Sequence, residues 1–279
     1  LLADFRHPYK PKAQGEIAMG LALGWLGTRL ARYLARPSHV HGIGPATQPD
    51  HLLACLRPGD VLLVEGNSRV STAIKYLTQS TWSHAALYVG AHLAEAGGAL
   101  DHCFIEADLV HGVRGVGIDE FSGAHTRICR PVGLGESDLR KLIAFMIARL
   151  GNQYDLRNVI DLARYLLPTP PVPLRYRRQM LALGSGDPTR AICSTLIAQA
   201  FQSIRYPILP VIDKRNADRP ECPGCIEEIL RVRHHSLFAP RDFDVSPYFQ
   251  IIKPTIAVDF DFNALHWEDA PMINAMSSL

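Results

Sequence analysis

Net charge is almost absent from this chain. Its 279 residues carry 29 Lys and Arg against 27 Asp and Glu, a formal net charge of +2. So small an excess leaves no electrostatic footprint for a nucleic acid. The basic cluster Arg175-Tyr176-Arg177-Arg178 reads as solvated surface. Cysteine is sparse too: 6 residues do not make a disulfide scaffold. Neither a Gly-rich phosphate loop of the Walker or dinucleotide type nor a Gly-x-Ser-x-Gly elbow is present. No segment recurs at solenoid or propeller spacing. Long apolar runs are also missing. The segment 16–36 is apolar around Ile17, Leu21 and Leu26 but is interrupted by Arg29, Arg32 and Arg36. It falls short of the roughly 20 residues that a spanning helix needs, and no small-x-small cleavage site follows it. It is expected to form an amphipathic helix docked on its own domain, with peripheral contact to a membrane as the alternative.

What is present is enough apolar residue, 47% of the chain, for one substantial core. The clearest pattern surrounds Cys193. Cys193, Leu196, Ile197, Ala200, Phe201 and Ile204 recur at i, i+3, i+4, i+7, i+8 and i+11, one face of a helix. Asp187 or Thr189 can cap its start, with Pro188 at the first helical position in the former case. A thiol in the first turns of a helix lies near the positive end of the macrodipole, which favours the nucleophilic thiolate. A buried, inert cysteine is the competing reading.

A thiol nucleophile requires a base, and the base requires a partner that orients it. His84 opens a strand-like run, with His84, Ala86 and Tyr88 on one face and Ala85, Leu87 and Val89 on the other. The next such run, Cys103 to Ala107, alternates in the same way. Between them, residues 91–102 contain Gly97-Gly98, the signature of a hairpin with a long loop. Matching the two apolar faces sets the parity of the register and brings His84 and Glu106 together on the opposite face. A carboxylate beside an imidazole fixes its orientation and stabilises the imidazolium. Taken singly, Glu106 reads as a solvated strand carboxylate and His84 as a core histidine.

Trp82-Ser83-His84 on one strand, Ile105-Glu106-Ala107 on the next, and Cys193-Ser194-x-Leu196-Ile197 on a helix together resemble the permuted branch of the NlpC/P60 (papain-like) cysteine hydrolases, the YiiX/YebB-like group. In that branch the histidine precedes the cysteine, as it does here. Leu56 to Leu63 resembles the family's opening strand, and Gly151-Asn152-Gln153-Tyr154-Asp155 its Gly-x-x-Tyr-Asp loop. The likeness covers residues 56–206. It implies an α+β, circularly permuted NlpC/P60 papain-like fold, an antiparallel sheet packed against a nucleophile-bearing helix. The implied catalytic set is Cys193, His84 and Glu106, with Asp108, His102 and His111 near Glu106 in sequence. Tyr154, Ser83 and Ser194 would contact substrate or the oxyanion, and no cofactor or metal is required. The implied activity is hydrolysis of an amide of peptide or peptidoglycan type through an acyl-enzyme. A thiol-dependent lipid hydrolase or acyltransferase of the same fold is the alternative.

Other expectations follow from pattern alone. A strand is expected near Val61 to Val64, then a helix with Val70, Ile74 and Leu77 on one face and Ser68 as cap. Strands follow near 113–118 and 126–129, then a helix through Leu150 ended by Gly151. A short helix at 158–167 precedes the rigid connector Pro168 to Pro173. Residues 37–55 read as a Pro/His/Gly-bearing connection, and 251–258 as an edge strand around Pro254. The divisions are 1–50, 51–262 for the hydrolase-like domain, and 263–279. His92, His102, Cys103, Glu106 and His111 are close in sequence, but at no standard zinc spacing. Cys222-Pro223-Gly224-Cys225 stands alone as a Cys-x-x-Cys, with His234 and His235 as its nearest further ligands in the tail, and is not expected to be the catalytic centre. A working Cys193 must stay reduced, so a cytoplasmic or membrane-associated setting is expected. A non-catalytic binding module would keep this fold with a disabled triad.

Overall fold

The computed structural model describes residues 46–108, 110–152, 192–216 and 226–254, together with residues 29, 32, 33, 35, 36, 261 and 263. Its centre is the strand β1, Val61–Val64, whose four apolar residues are all buried. A strand buried on both faces must have a layer over each of them, and its two edges are taken by neighbouring strands. β1 pairs antiparallel with β2 (His84–Tyr88) on one side and with β5 (Thr126–Pro131) on the other. β3 (Phe104–Asp108) and β4 (Gly112–Val116) extend the first side, and β8 (Phe249–Ile252) closes the second. The order is β4-β3-β2-β1-β5-β8, with every neighbouring pair antiparallel.

Pleating divides the sheet into two faces. Val61, Leu63, Ala85, Leu87, Ile105, Ala107 and Cys129 form the first. Two helices cover it, α4 (Glu136–Ile147) through Leu142, Ile143 and Met146, and α5 (Ile192–Ser203) through Leu196, Ile197, Ala200 and Phe201. The five α5 residues from Cys193 to Phe201 whose spacing marked one helical face are each no more than 4% exposed. Each large side chain buried this way contributes about 1.5–3 kcal/mol, which fixes the helix firmly on the sheet. Leu62, Val64, Ala86, Phe104 and Ile128 form the second face, under Leu52 and Leu56 and against Phe121.

The helix expected behind Ser68 is α2, Arg69–Thr78, and the Ser68 hydroxyl accepts a bond from the Ser71 N–H at 3.1 Å. Several expectations need correcting. The connection at 37–55 contains a helix at its end, α1 (Pro49–Cys55), where Pro49 takes the first helical position and Leu52 is buried. The loop at 91–102 holds a short helix, α3 (His92–Glu95), before its glycines. α4 stops at Ile147 rather than Leu150: the N–H groups of Arg149 and Leu150 bond three residues back, the tighter winding that commonly ends a helix. Gly151, at φ +79°, then turns the chain and donates to the Val113 carbonyl. The edge strand is 249–252, earlier than expected, and Pro254 falls just beyond the ladder.

The tail has a packing role that its sequence did not reveal. Phe243, on α6 (Pro240–Asp244), and Phe249 pack with Phe201 and Tyr206 at ring-centroid distances of 5.3–6.3 Å. Residues 211–216 and 226–231 form a separate hairpin of β6 (Val211–Asn216) and β7 (Ile226–Arg231). Cys222 and Cys225, between those strands, lie outside the described residues, as do the helix at 158–167, the connector at 168–173, the caps at 187–189 and residues 255–258. Most of the segment 16–36 does too; its described end is helical at Arg32 and Tyr33, and Arg69 sits 4.1 Å above the Tyr33 ring. Among the described residues, no helix is long and apolar enough to cross a membrane.

Candidate active site

His84 is the first residue of β2, and the turn before it is held by the Ser83 N–H, which donates to the Val64 carbonyl at 3.1 Å. The register places Ala86 opposite Glu106 and Leu87 opposite Ile105. Alternation therefore sets His84, Ala86 and Glu106 on one face, with His84 and Glu106 as diagonal neighbours across the ladder. Their side chains meet: His84 Nε2 lies 2.7 Å from Glu106 Oε2. The histidine side chain keeps 26% exposure while the carboxylate keeps 3%. Such an acid is strongly desolvated and needs partners.

The nucleophile candidate arrives from the other side. Cys193 lies in the first turn of α5, which packs on the Ala85/Leu87 face. At the start of β2 Cys193 borders the same cleft as His84, and its sulfur comes within hydrogen-bonding reach of the ring. With Nε2 committed to Glu106, Nδ1 is the nitrogen left for sulfur. Burial works against an imidazolium at His84. Attraction to the Cys193 sulfur, the hydrogen bond between them, and then Glu106 outweigh burial and hold the ring well above its ordinary value. Glu106 moves the opposite way: burial pushes it up, but the bonds and charges of His84 and Arg114 bring it below the ordinary carboxylate value.

Arg114 is the member that sequence reading missed. It stands opposite Glu106 on β4, its Nε donates to Glu106 Oε1 at 2.9 Å, and its Nη2 lies 2.7 Å from the same oxygen. The same Nη2 reaches Glu120 Oε1 at 2.5 Å. The available signal was alternation carried one strand further: pairing 104–108 with 112–116 puts position 114 on the Glu106 face. These side chains border a cleft of about 240 Å³, whose apolar wall includes Val64, Val70, Ile74 and Phe121.

The remaining expected site residues divide. Ser83 lines the cleft, but its hydroxyl accepts a bond from the Gly66 N–H at 2.9 Å and so holds the loop after β1. Ser194 is fully buried and its hydroxyl donates to the Phe238 carbonyl at 2.8 Å, so this side chain ties α5 to the tail rather than meeting a ligand. Tyr154 lies outside the described residues. The sequence-adjacent metal candidates disperse: His92 pairs with Glu95, His111 with Asp108, and Glu106 is taken by His84 and Arg114. Among the described residues, no three His, Cys, Asp or Glu side chains gather around one point fit for a metal ion.

No protein-family model matches the chain, and no curated protein matches it. Among solved structures it is similar to the metalloprotein yiiX from Escherichia coli O157:H7, at 16% sequence identity and a TM-score of 0.41, over 71% of this chain and 96% of that one.

Proposed function

We propose that this chain is a cysteine hydrolase of the circularly permuted NlpC/P60 papain-like type, cleaving an amide of a peptide or peptidoglycan-type substrate through an acyl-enzyme. One observation carries the reading: a single imidazole, His84, is shared between a buried carboxylate at 2.7 Å and the sulfur of Cys193. An imidazole held at one nitrogen and facing a thiol at the other is the arrangement that activates a nucleophile.

Cys193 gives its proton to His84 Nδ1 and attacks the carbonyl carbon, forming the C–S bond. The tetrahedral intermediate collapses as the C–N bond breaks, and His84 returns the proton to the departing amine, which could not leave as an anion. Water, deprotonated by His84, then attacks the thioester; the acid departs and Cys193 recovers its proton. Glu106 accepts the Nε2 proton bond throughout and stabilises the imidazolium. Backbone N–H groups near the start of α5 meet the oxyanion.

The test is an acid-quenched incubation with fluorogenic amides and, separately, with phospholipid vesicles, read by intact mass. An acyl adduct on Cys193 from the amides supports the reading. An adduct from phospholipid alone moves the assignment to a lipid hydrolase or acyltransferase. Failure of both, with Cys193 unreactive to iodoacetamide, removes the hydrolase.

A further inference from the structure

Glu106 carries more negative charge into the protein than His84 alone compensates. Its carboxylate is 3% exposed, and its second oxygen points away from the histidine. That oxygen meets Arg114, whose Nε and Nη2 lie 2.9 and 2.7 Å from it. Arg114 is itself held from the far side by Glu120, which is 43% exposed on the single turn Ile118–Phe121 after β4. The result is a continuous file of alternating charge from the buried sulfur to solvent: Cys193, His84, Glu106, Arg114, Glu120. Each link belongs to a different element, α5, β2, β3, β4 and the following turn.

We infer that Arg114 is a positioning residue for the proposed reaction: it keeps Glu106 ionised and turned so that one oxygen stays on His84 Nε2. The inference rests on the hydrolase reading and adds to it a residue outside the triad. Geometry requires something at this place. A carboxylate so nearly buried and paired only with a neutral imidazole would take up a proton readily, and a protonated Glu106 does not stabilise an imidazolium. Arg114 supplies a fixed charge that persists whether His84 is protonated or not. Its fork on one oxygen leaves the other free to follow the imidazole. Among the described residues bordering the cleft, the titratable group outside this file is Asp108, at the end of β3. Asp108 accepts through Oδ1 from the Val110 and His111 N–H groups and pairs there with the His111 ring, while the Arg114 charge also attracts it; the Arg114 fork itself is on Glu106.

The experiment measures Cys193 alkylation by iodoacetamide from pH 4 to 9 in the full chain. In Arg114→Gln, the acid limb of the profile is expected to move up by about one pH unit, because Glu106 then protonates within the working range. Arg114→Lys keeps the charge and is expected to bring that limb back toward the native position. Since Arg114→Gln leaves a buried charge less well paired and can unfold the chain, Glu106→Gln/Arg114→Gln supplies a second arm that removes both charges. If Arg114 acts through Glu106, the double variant labels at the rate of Glu106→Gln alone. A native acid limb in Arg114→Gln, or a further loss in the double variant beyond Glu106→Gln, overturns the inference. His84→Ala separates the two levels. If it slows labelling while Arg114 variants change nothing, only this inference falls; if it leaves labelling unchanged, the hydrolase reading falls with it.

Discussion

His84 and Glu106 bond at 2.7 Å on the sheet face opposite the one that carries the Cys193 helix. The proposed triad is therefore assembled around the start of β2 rather than on one surface. Had His84 stood two residues further along the strand, the sheet itself would separate it from the sulfur. In the proposed reaction the three side chains work as a unit, so their removals should not add. Cys193→Ala and His84→Ala are each expected to cost on the order of 10⁴-fold or more in amide hydrolysis, Glu106→Gln less, and the triple variant little beyond the worst single one. Single-turnover rates on a fluorogenic amide check this. Losses that multiply would mean three independent roles.

The cysteines offer a comparison within one molecule. Cys129 is fully buried on the helix-covered face, and burial, with Asp244 adding to it, pushes its thiol far up. Cys55 is half-buried at the end of α1. Cys193 borders the cleft beside His84. Iodoacetamide at neutral pH is expected to label Cys193 before either, and His84→Ala to slow that labelling without affecting Cys55. Peptide mapping after timed quenches reads both. Equal rates at Cys55 and Cys193 would contradict activation.

Much of this geometry was legible, and the reasons are local. The spacing of Leu196, Ile197, Ala200 and Phe201 identifies a helix because the pattern repeats with one period, and all four are buried as that period requires. The pairing of His84 with Glu106 followed from parity: apolar residues at 85, 87 and 105 leave only one way to stack the strands. Arg114 was hidden because its role depends on the register of a third strand, two steps from the histidine. The direction of the Ser194 hydroxyl was hidden for a different reason. Its place after the cysteine suggested a ligand contact, but the direction of its hydroxyl is set by Phe238, far along the chain. The hairpin of β6 and β7 gave little signal because Val211 and Ile212 remain 52% and 50% exposed, so no buried face imposes alternation.

Opposite shifts in the site predict how its contribution to stability varies with pH. The Glu106 value is depressed in the folded chain, so its contribution is present above about pH 4.3, the ordinary unfolded value, and is lost as pH falls through the folded one. The His84 value is raised, so its contribution is complete below about pH 6.5 and is lost as pH climbs through the raised folded value. The stabilisation of the native chain over a His84→Ala/Glu106→Gln variant should therefore be greatest between these limits and decline on both sides. Urea midpoints from pH 3 to 9 measure it. A difference that is flat across the range would show that the pair is uncoupled.

Gly66 is the backbone position in the cleft least able to accept a side chain. A Cβ there would collide with the Ser71 hydroxyl and lie 2.9 Å from that of Ser83. Those hydroxyls are engaged, Ser71 with Ser68 at 2.8 Å and Ser83 with the Gly66 N–H. Gly66→Ala must therefore break one of these bonds or move the loop, at about 1–3 kcal/mol. Combining it with Ser71→Ala opens room and should recover part of the loss. Denaturant unfolding of the single and double variants decides; no recovery would place the strain elsewhere.

Ser194 separates a structural neighbour of the proposed nucleophile from a participant in its chemistry. Its hydroxyl is sealed in the interior, where it donates to the Phe238 carbonyl and fastens the start of α5 to the tail that carries Phe243 and Phe249. Ser194→Ala withdraws that donor from a buried carbonyl, which costs about 1–3 kcal/mol of stability. The alkylation rate of the adjacent Cys193 should change little at a temperature where the variant remains folded, because the reacting groups lie toward His84 and the hydroxyl points toward Phe238. Thermal melts paired with labelling kinetics distinguish the two roles. A variant as stable as the native chain but much slower to label would mean that the hydroxyl turns toward the sulfur during reaction.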